Sequence, residues 1–202
     1  MKKLFFTALT LALIAFSNSS HAQEVKIKKG DDKLKAKPAT MKKDMKDEEM
    51  KMKLEKAKSL SYAYQPEYSS QFTLGKPEQA KLVLDLWKDW DNNTLGNHAD
   101  NIADTILFEL PNGEVLRGKA DFTAKSQEQR NTIASAKSTV EAWMPLRSID
   151  RNEDWVAVWG YEQDTDKDGK VTTERLHEIW GFNKDGKISY VRQYTSKMPK
   201  QQ

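Results

Sequence analysis

The chain of 202 residues contains no cysteine. That absence excludes disulfides, thiolate nucleophiles, Cys-ligated zinc and a lipid-modified N-terminal Cys. Apolar residues are scarce, 38% of the chain against about 45–50% in ordinary globular chains, so part of it lies outside any core. No apolar run reaches the ~20 residues that span a bilayer; Leu4 to Phe16 has 13. A Gly-rich phosphate loop, a Ser-centred nucleophile elbow and a metal-binding His pair are all missing. No cofactor and no metal are therefore expected.

Basic charge is lacking where nucleic acid would need it. Residues 24–58 hold 13 Lys against 8 acidic side chains. With Lys2 and Lys3 set aside, residues 59–202 carry a net charge of −4. A mildly acidic domain offers no basic footprint for nucleic acid.

Met1-Lys2-Lys3, the apolar run and Ser20-His21-Ala22 together read as an export signal cleaved after Ala22. The expected location is periplasmic or extracellular, with no membrane anchor. Residues 23–75 read as a lysine-rich arm whose apolar content is too low to bury a core. Between Thr40 and Lys58 there is neither Gly nor Pro, and a solvated helix and disorder both stay open. Met41, Met45, Met50 and Met52 have thioethers that suit Cu(I), but the surrounding lysines oppose a cation and a tether is the reading adopted. Ser59 to Leu74, with Tyr62, Tyr64, Tyr68 and Phe72, reads as an extended segment on the domain surface.

Residues 76–197 carry the periodic signals, and 198–202 form a tail. Pro77 suits a first helical position, and Ala80, Val83, Leu84, Trp87 and Trp90 recur at helical spacing to about Asp91. A short second helix is expected over 97–103, a strand over 105–110, a return strand over 114–117, and a third helix over 119–132. Strands are then expected over 138–149, 155–163, 171–182 and 187–195, with Pro145 at a bulge or an edge. Asn183-Lys184-Asp185-Gly186 is a hairpin turn. Helices first and an antiparallel meander after them define an α+β domain.

Phe108-Glu109-Leu110-Pro111-Asn112-Gly113-Glu114-Val115-Leu116-Arg117-Gly118 and His177-Glu178-Ile179-Trp180-Gly181-Phe182-Asn183-Lys184-Asp185-Gly186-Lys187-Ile188, followed by Arg192-Gln193-Tyr194, resemble segments of the nuclear transport factor 2-like superfamily, which includes the SnoaL-like and ketosteroid isomerase-like proteins. The resemblance runs from about Pro77 to Ser196. It implies a cone, a curved antiparallel sheet around the long first helix, with three helices in all and a pocket at the open end. It also implies dimerisation through the sheet.

The resemblance places Leu110 where ketosteroid isomerases keep their carboxylate base, and Leu cannot accept a proton. Glu109 is adjacent and faces the other way. Trp87 stands at the position of the aromatic hydroxyl and offers only an N–H. Glu178 falls where the isomerases keep a protonated Asp, so Glu178 is the candidate acid or base, with ion pairing to a neighbouring cation as the alternative. The expected ligand-binding set is Trp87, Leu110, Trp143, Val158, Glu178, Trp180 and Gln193. Val156, Val158, Gly160 and Glu162 are expected to face the pocket, which leaves Trp155, Trp159 and Tyr161 on an outer face suited to a second copy. His177 and His98 read as structural or surface residues. Asp164-Thr165-Asp166-Lys167-Asp168-Gly169 begins like a calcium loop, but Arg175 stands where the bidentate Glu belongs, so a solvated turn is expected.

The function expected is a domain that binds a small, largely apolar molecule without ketosteroid isomerase-type catalysis. Two alternatives are an isomerase, dehydratase or cyclase using Glu178, and a structural dimerisation module.

Overall fold

The computed structural model describes residues 48–49, 51–53, 55–56 and 60–199. The expected signal segment, most of the lysine-rich arm with Met41, Met45 and Met50, and the last three residues lie outside the described ones. Residues 48–49, 51–53 and 55–56 are helical and exposed.

Helix α1, Pro77–Asn92, begins with Pro at its first turn and ends at Asn93. Asn93 takes the left-handed conformation at φ 56°, where its N–H reaches the carbonyls of Asp89 and Trp90. The short second helix expected over 97–103 is there as a single 3-10 turn, Ala99–Asn101, shorter than expected. Side-chain competition accounts for it: buried Asp89 accepts from Thr94 Oγ1 at 2.9 Å and Asn97 Nδ2 at 3.1 Å, and meets His98 Nδ1 at 2.5 Å. Polar side chains tied back to one carboxylate draw the backbone out of helical pairing. His98 therefore sits in a turn with its ring held by the Asp89 carboxylate.

The sheet is built from β1 Phe72–Leu74, β2 Ile102–Glu109, β3 Val115–Arg117, β4 Ile133–Ser148, β5 Glu153–Asp166, β6 Val171–Phe182 and β7 Ile188–Lys197. Helix α2, Lys119–Arg130, falls between β3 and β4. The strand order is β1-β4-β5-β6-β7-β2-β3, antiparallel except where β2 runs parallel to β7. β4 starts five residues before the expected Ser138, and β5 runs three past the expected Gln163. Polar residues such as Ser135, Asp164 and Asp166 are poor strand formers, yet β5 is paired there on both sides, Asp164 with Ala136 and with Thr172. β1 arises in the segment that reads as extended surface chain, and it covers only Leu146 to Ser148. Pro145 therefore stands where the edge of β4 opens and no partner asks for an N–H. A register shift lies nearby, between Val140 and Ala142.

The concave face of the sheet packs on α1. Val83, Ile106, Val156, Val158, Ile188 and Val191 have no solvent exposure. Trp155, Trp159 and Tyr161 lie on the opposite, convex face, where His177 stacks between Trp159 and Tyr194 at centroid distances of 4.8 and 5.8 Å. Gly181 has no room for a side chain on this face, since a Cβ would meet the Trp155 ring at 2.8 Å.

A buried carboxylate ties the start of α1 to the sheet. Asp154 accepts from Lys76 Nζ at 2.8 Å, Arg147 at 2.6 Å and Gln79 Nε2 at 3.3 Å. Burial raises the Asp154 carboxyl, but Lys76 and Arg147 outweigh it and hold the group below its ordinary value. Asp154→Ala is expected to cost about 2–3 kcal/mol in denaturant unfolding, less than the ~3–5 of a fully buried pair, because Lys76 and Arg147 keep 61% and 32% side-chain exposure. A depressed carboxyl stabilises above its unfolded pKa of about 4 and loses that contribution as pH falls through its folded value, so the gap between wild type and variant is expected to narrow as pH falls below the ordinary carboxylate range.

Candidate functional site

The flank of α1 that carries Leu86 and Trp90, the concave faces of β6 and β7, helix α2 and the β2–β3 turn enclose a cavity of about 670 Å³. It is open at one end of the domain. The lower wall is aromatic and aliphatic, with Trp87, Phe108, Leu116, Phe122, Leu176 and Trp180.

Glu178 sits in this wall, 5% exposed. Three elements position its partners. Trp87 on α1 and Trp180, two residues along β6, donate their indole N–H groups to Oε2 at 2.6 and 3.0 Å. Gln193, its cross-strand partner on β7, donates Nε2–H to Oε1 at 2.7 Å. Burial pushes the Glu178 carboxyl above its ordinary value, while the bonds from Gln193, Trp87 and Trp180 pull it part of the way back. No Lys or Arg pairs with it among the described residues. Its oxygens are already taken by donors of the protein itself, so Glu178 stiffens the cavity wall.

Leu110 lines the cavity at the β2–β3 turn. Glu109 turns away and bonds Arg192 Nε at 2.5 Å, and this hydrogen bond holds its carboxyl below the ordinary value. Trp87, Leu110, Glu178, Trp180 and Gln193 thus come together. Two expected ligand-binding residues do not join them. Trp143 pairs with Val158 in register, but it is 55% exposed and outside the cavity. β4 reaches the cavity at Ser138, and Trp143 lies farther along the strand, past the register shift between Val140 and Ala142. Val158 has 0% exposure and belongs to the packed core beneath α1, not to the cavity surface.

A second carboxyl group was not among the expected site residues. Glu162 on β5 accepts from Trp90 Nε1 at 2.7 Å, and Asp164, two residues on, shares its face. Both line the cavity. Asp164 Oδ1 is buried and has no hydrogen-bond donor. Burial first, then a hydrogen bond and repulsion from Asp164, push Glu162 from 4.5 up to about 8, against the pull of Trp90. A proton held on Glu162 supplies a donor for the Asp164 Oδ1 oxygen. The signal was present in sequence as Trp87 and Trp90 at helical spacing and the Glu162/Asp164 alternation, but Asp164 read as turn.

That proton links stability to pH. A carboxyl raised in the folded state stabilises fully below its unfolded pKa and loses the contribution as pH rises through the folded value. Wild-type thermal stability is expected to decline between about pH 4.5 and about pH 8. Glu162→Gln is expected to flatten that decline, as read by melting temperature across the range.

Among the described residues no helix is long and apolar enough to cross a membrane. No group of three or more His, Cys, Asp or Glu residues among them is arranged to hold a metal ion. Asp166 and Gly169 close the β5–β6 hairpin, with Asp166 Oδ1 accepting the N–H groups of Asp168 and Lys170.

No protein-family model matches the chain, and no curated protein matches it. Solved structures do. A SnoaL-like protein of Shewanella denitrificans OS-217, named as a candidate polyketide cyclase, is 11% identical, with 60% of this chain and 92% of that chain covered and a TM-score of 0.50. A nuclear transport factor 2-like protein of unknown function from Exiguobacterium sp. 255-15 is 20% identical over 59% of this chain and 99% of that one, with a TM-score of 0.49. A delta 5-3-ketosteroid isomerase from a Mycobacterium species is 20% identical over 57% and 90%, with a TM-score of 0.47. A long helix held in a curved, mostly antiparallel sheet whose β2 and β7 run parallel, together with the likeness to the Shewanella structure, gives this chain the nuclear transport factor 2-like, SnoaL-like cone fold.

Proposed function

We propose that this is an exported small-molecule-binding domain whose cone cavity receives a compact ligand with an apolar body. One observation carries the reading: an open cavity of about 670 Å³, walled by aromatic and aliphatic side chains and stiffened at Glu178 by three hydrogen bonds. That volume lies within the ~300–1,000 Å³ of small-molecule sites. The basic start, apolar run and Ser20-His21-Ala22 of the sequence support export. The exposed Trp159 and Tyr194 on the convex face support a homodimer through the sheet.

Acid–base catalysis is a second reading, and the Glu162–Asp164 pair favours it over a role for Glu178. A base poised near neutral pH needs a raised carboxyl inside a cavity, and Glu162 at about 8 is one.

Thr195 lines the mouth of the cavity and is exposed. Thr195→Trp is expected to block entry without disturbing the core. Binding is followed by quenching of Trp87, Trp90 and Trp180 fluorescence across a library of small aromatic and alicyclic compounds. Saturable quenching in wild type that is lost in Thr195→Trp, at unchanged melting temperature, supports the reading. Quenching that survives in the variant sinks it.

A further inference from the structure

Carboxyl groups dominate the ionisable side chains of the cavity. Its lining includes six carboxyl side chains and one lysine. That lysine, Lys125, bonds Glu128 at 3.0 Å on the rim. The buried cation at this end, Arg130, directs its donors at the carbonyls of Trp90, Asp91 and Ile133, where it caps α1. Neither cation pairs with the upper wall.

That wall is acidic by register. Glu162 and Glu174 are direct cross-strand partners on β5 and β6, and Asp164 follows Glu162 on the same face. This register sets two carboxyl groups side by side across the strands at the cavity surface, with a third two residues along. The Trp90 indole leans on the same spot through its bond to Glu162. Carboxylates hold organic ammonium groups by ion pairing and charge-assisted hydrogen bonds, and the Trp90 ring gives the apolar part of such a ligand a surface beside them.

We infer that the ligand of this cavity carries a cationic amino group, received at the wall formed by Glu162, Asp164 and Glu174 beside Trp90, with its apolar body directed toward Leu176 and Trp180. This rests on the small-molecule reading above and names the ligand class for the same site. A carboxylate ligand meets only repulsion at this wall, and a neutral one gains no ion pair.

Three probes with one apolar body separate the cases: 2-phenylethylamine, 2-phenylethanol and 3-phenylpropionate. Affinities are measured by calorimetry with the full mature chain at pH 7 and low salt. The amine is expected to bind at least tenfold more tightly than the alcohol, and the propionate more weakly than either. Glu162→Gln/Asp164→Asn is expected to erase the amine's advantage and leave the alcohol unchanged. Glu174→Gln, on an exposed position that folding does not require, is expected to reduce the advantage about threefold. If the alcohol or the propionate equals or exceeds the amine, and Thr195→Trp abolishes that binding, the amine inference fails while the cavity reading stands. If none of the three binds, both fail.

Discussion

Glu178→Ala is expected to lower the unfolding free energy by about 4 kcal/mol, whereas Glu178→Gln costs less than about 1 kcal/mol. The asymmetry follows from donor and acceptor counts. Glu178 accepts three N–H groups, two indoles on Oε2 and one amide on Oε1. Removing the carboxyl leaves all three donors without an acceptor in a site that is 5% exposed, at about 1–3 kcal/mol each, reduced where cavity water reaches them. A Gln keeps one oxygen for the two indoles. Its amide N–H then needs an acceptor, and Gln193 supplies one by turning its own side-chain amide over. For a domain of this size ~4 kcal/mol corresponds to a drop in melting temperature on the order of 15 °C. Equilibrium denaturation of both variants at pH 7 checks the pair. Equal losses in the two, or a mild loss in Glu178→Ala, would show that the donors do not depend on this carboxyl. Glu178→Gln also removes a buried acid whose ionisation is disfavoured, so its stability is expected to vary less with rising pH than that of wild type.

The helical and hairpin parts of the fold were legible because their signals are local. Pro77 and the apolar spacing from Ala80 to Trp90 bound α1 to within a residue, and Asn183-Lys184-Asp185-Gly186 closed the β6–β7 hairpin. Local signals fell short where long-range contacts decide. The segment 97–103 has helix-compatible residues and forms one 3-10 turn, but Asp89 claims the side chains of Asn97 and His98. Asp164 resembles a turn residue, but the two neighbouring strands pair with it at Ala136 and Thr172. The same limit applies to the site. Alternation put Glu162 on the pocket face, while the depth of each position depends on where α1 lies across the sheet. That placement buries Val158 and brings Trp90 onto Glu162, and Trp143 lies outside. Strand period alone cannot distinguish core, cavity and solvent among residues of one face.

Gly160→Ala is expected to be the most damaging small substitution in the sheet, costing at least about 3 kcal/mol. Gly160 lies on β5 between the core position Val158 and the cavity position Glu162, opposite Val140 at the register shift in β4. A Cβ there would stand 2.3 Å from the Thr139 carbonyl oxygen and 3.0 Å from Cζ3 of Trp87. The first contact is with backbone inside a paired strand, which cannot yield without breaking the ladder. The second is with the ring whose N–H holds Glu178. Overpacking a core by one methyl ordinarily costs about 1–3 kcal/mol, and a backbone obstacle puts this site at or beyond the top of that range. The two contacts separate experimentally. Gly160→Ala/Trp87→Leu relieves the ring contact and leaves the carbonyl contact, so the double variant is expected to remain less stable than Trp87→Leu alone by at least about 2 kcal/mol, beyond the additivity error of ~0.5. Denaturant midpoints of the four proteins decide it. If Gly160→Ala costs nothing in the Trp87→Leu background, the ring alone was the obstacle. If it costs nothing in wild type, neither the Thr139 carbonyl nor the Trp87 ring crowds this position. The approach matters for binding because Trp87 can reach Glu178 only by lying across a residue without a side chain. Gly160→Ala is accordingly expected to weaken ligand-induced quenching even under conditions where the variant remains folded.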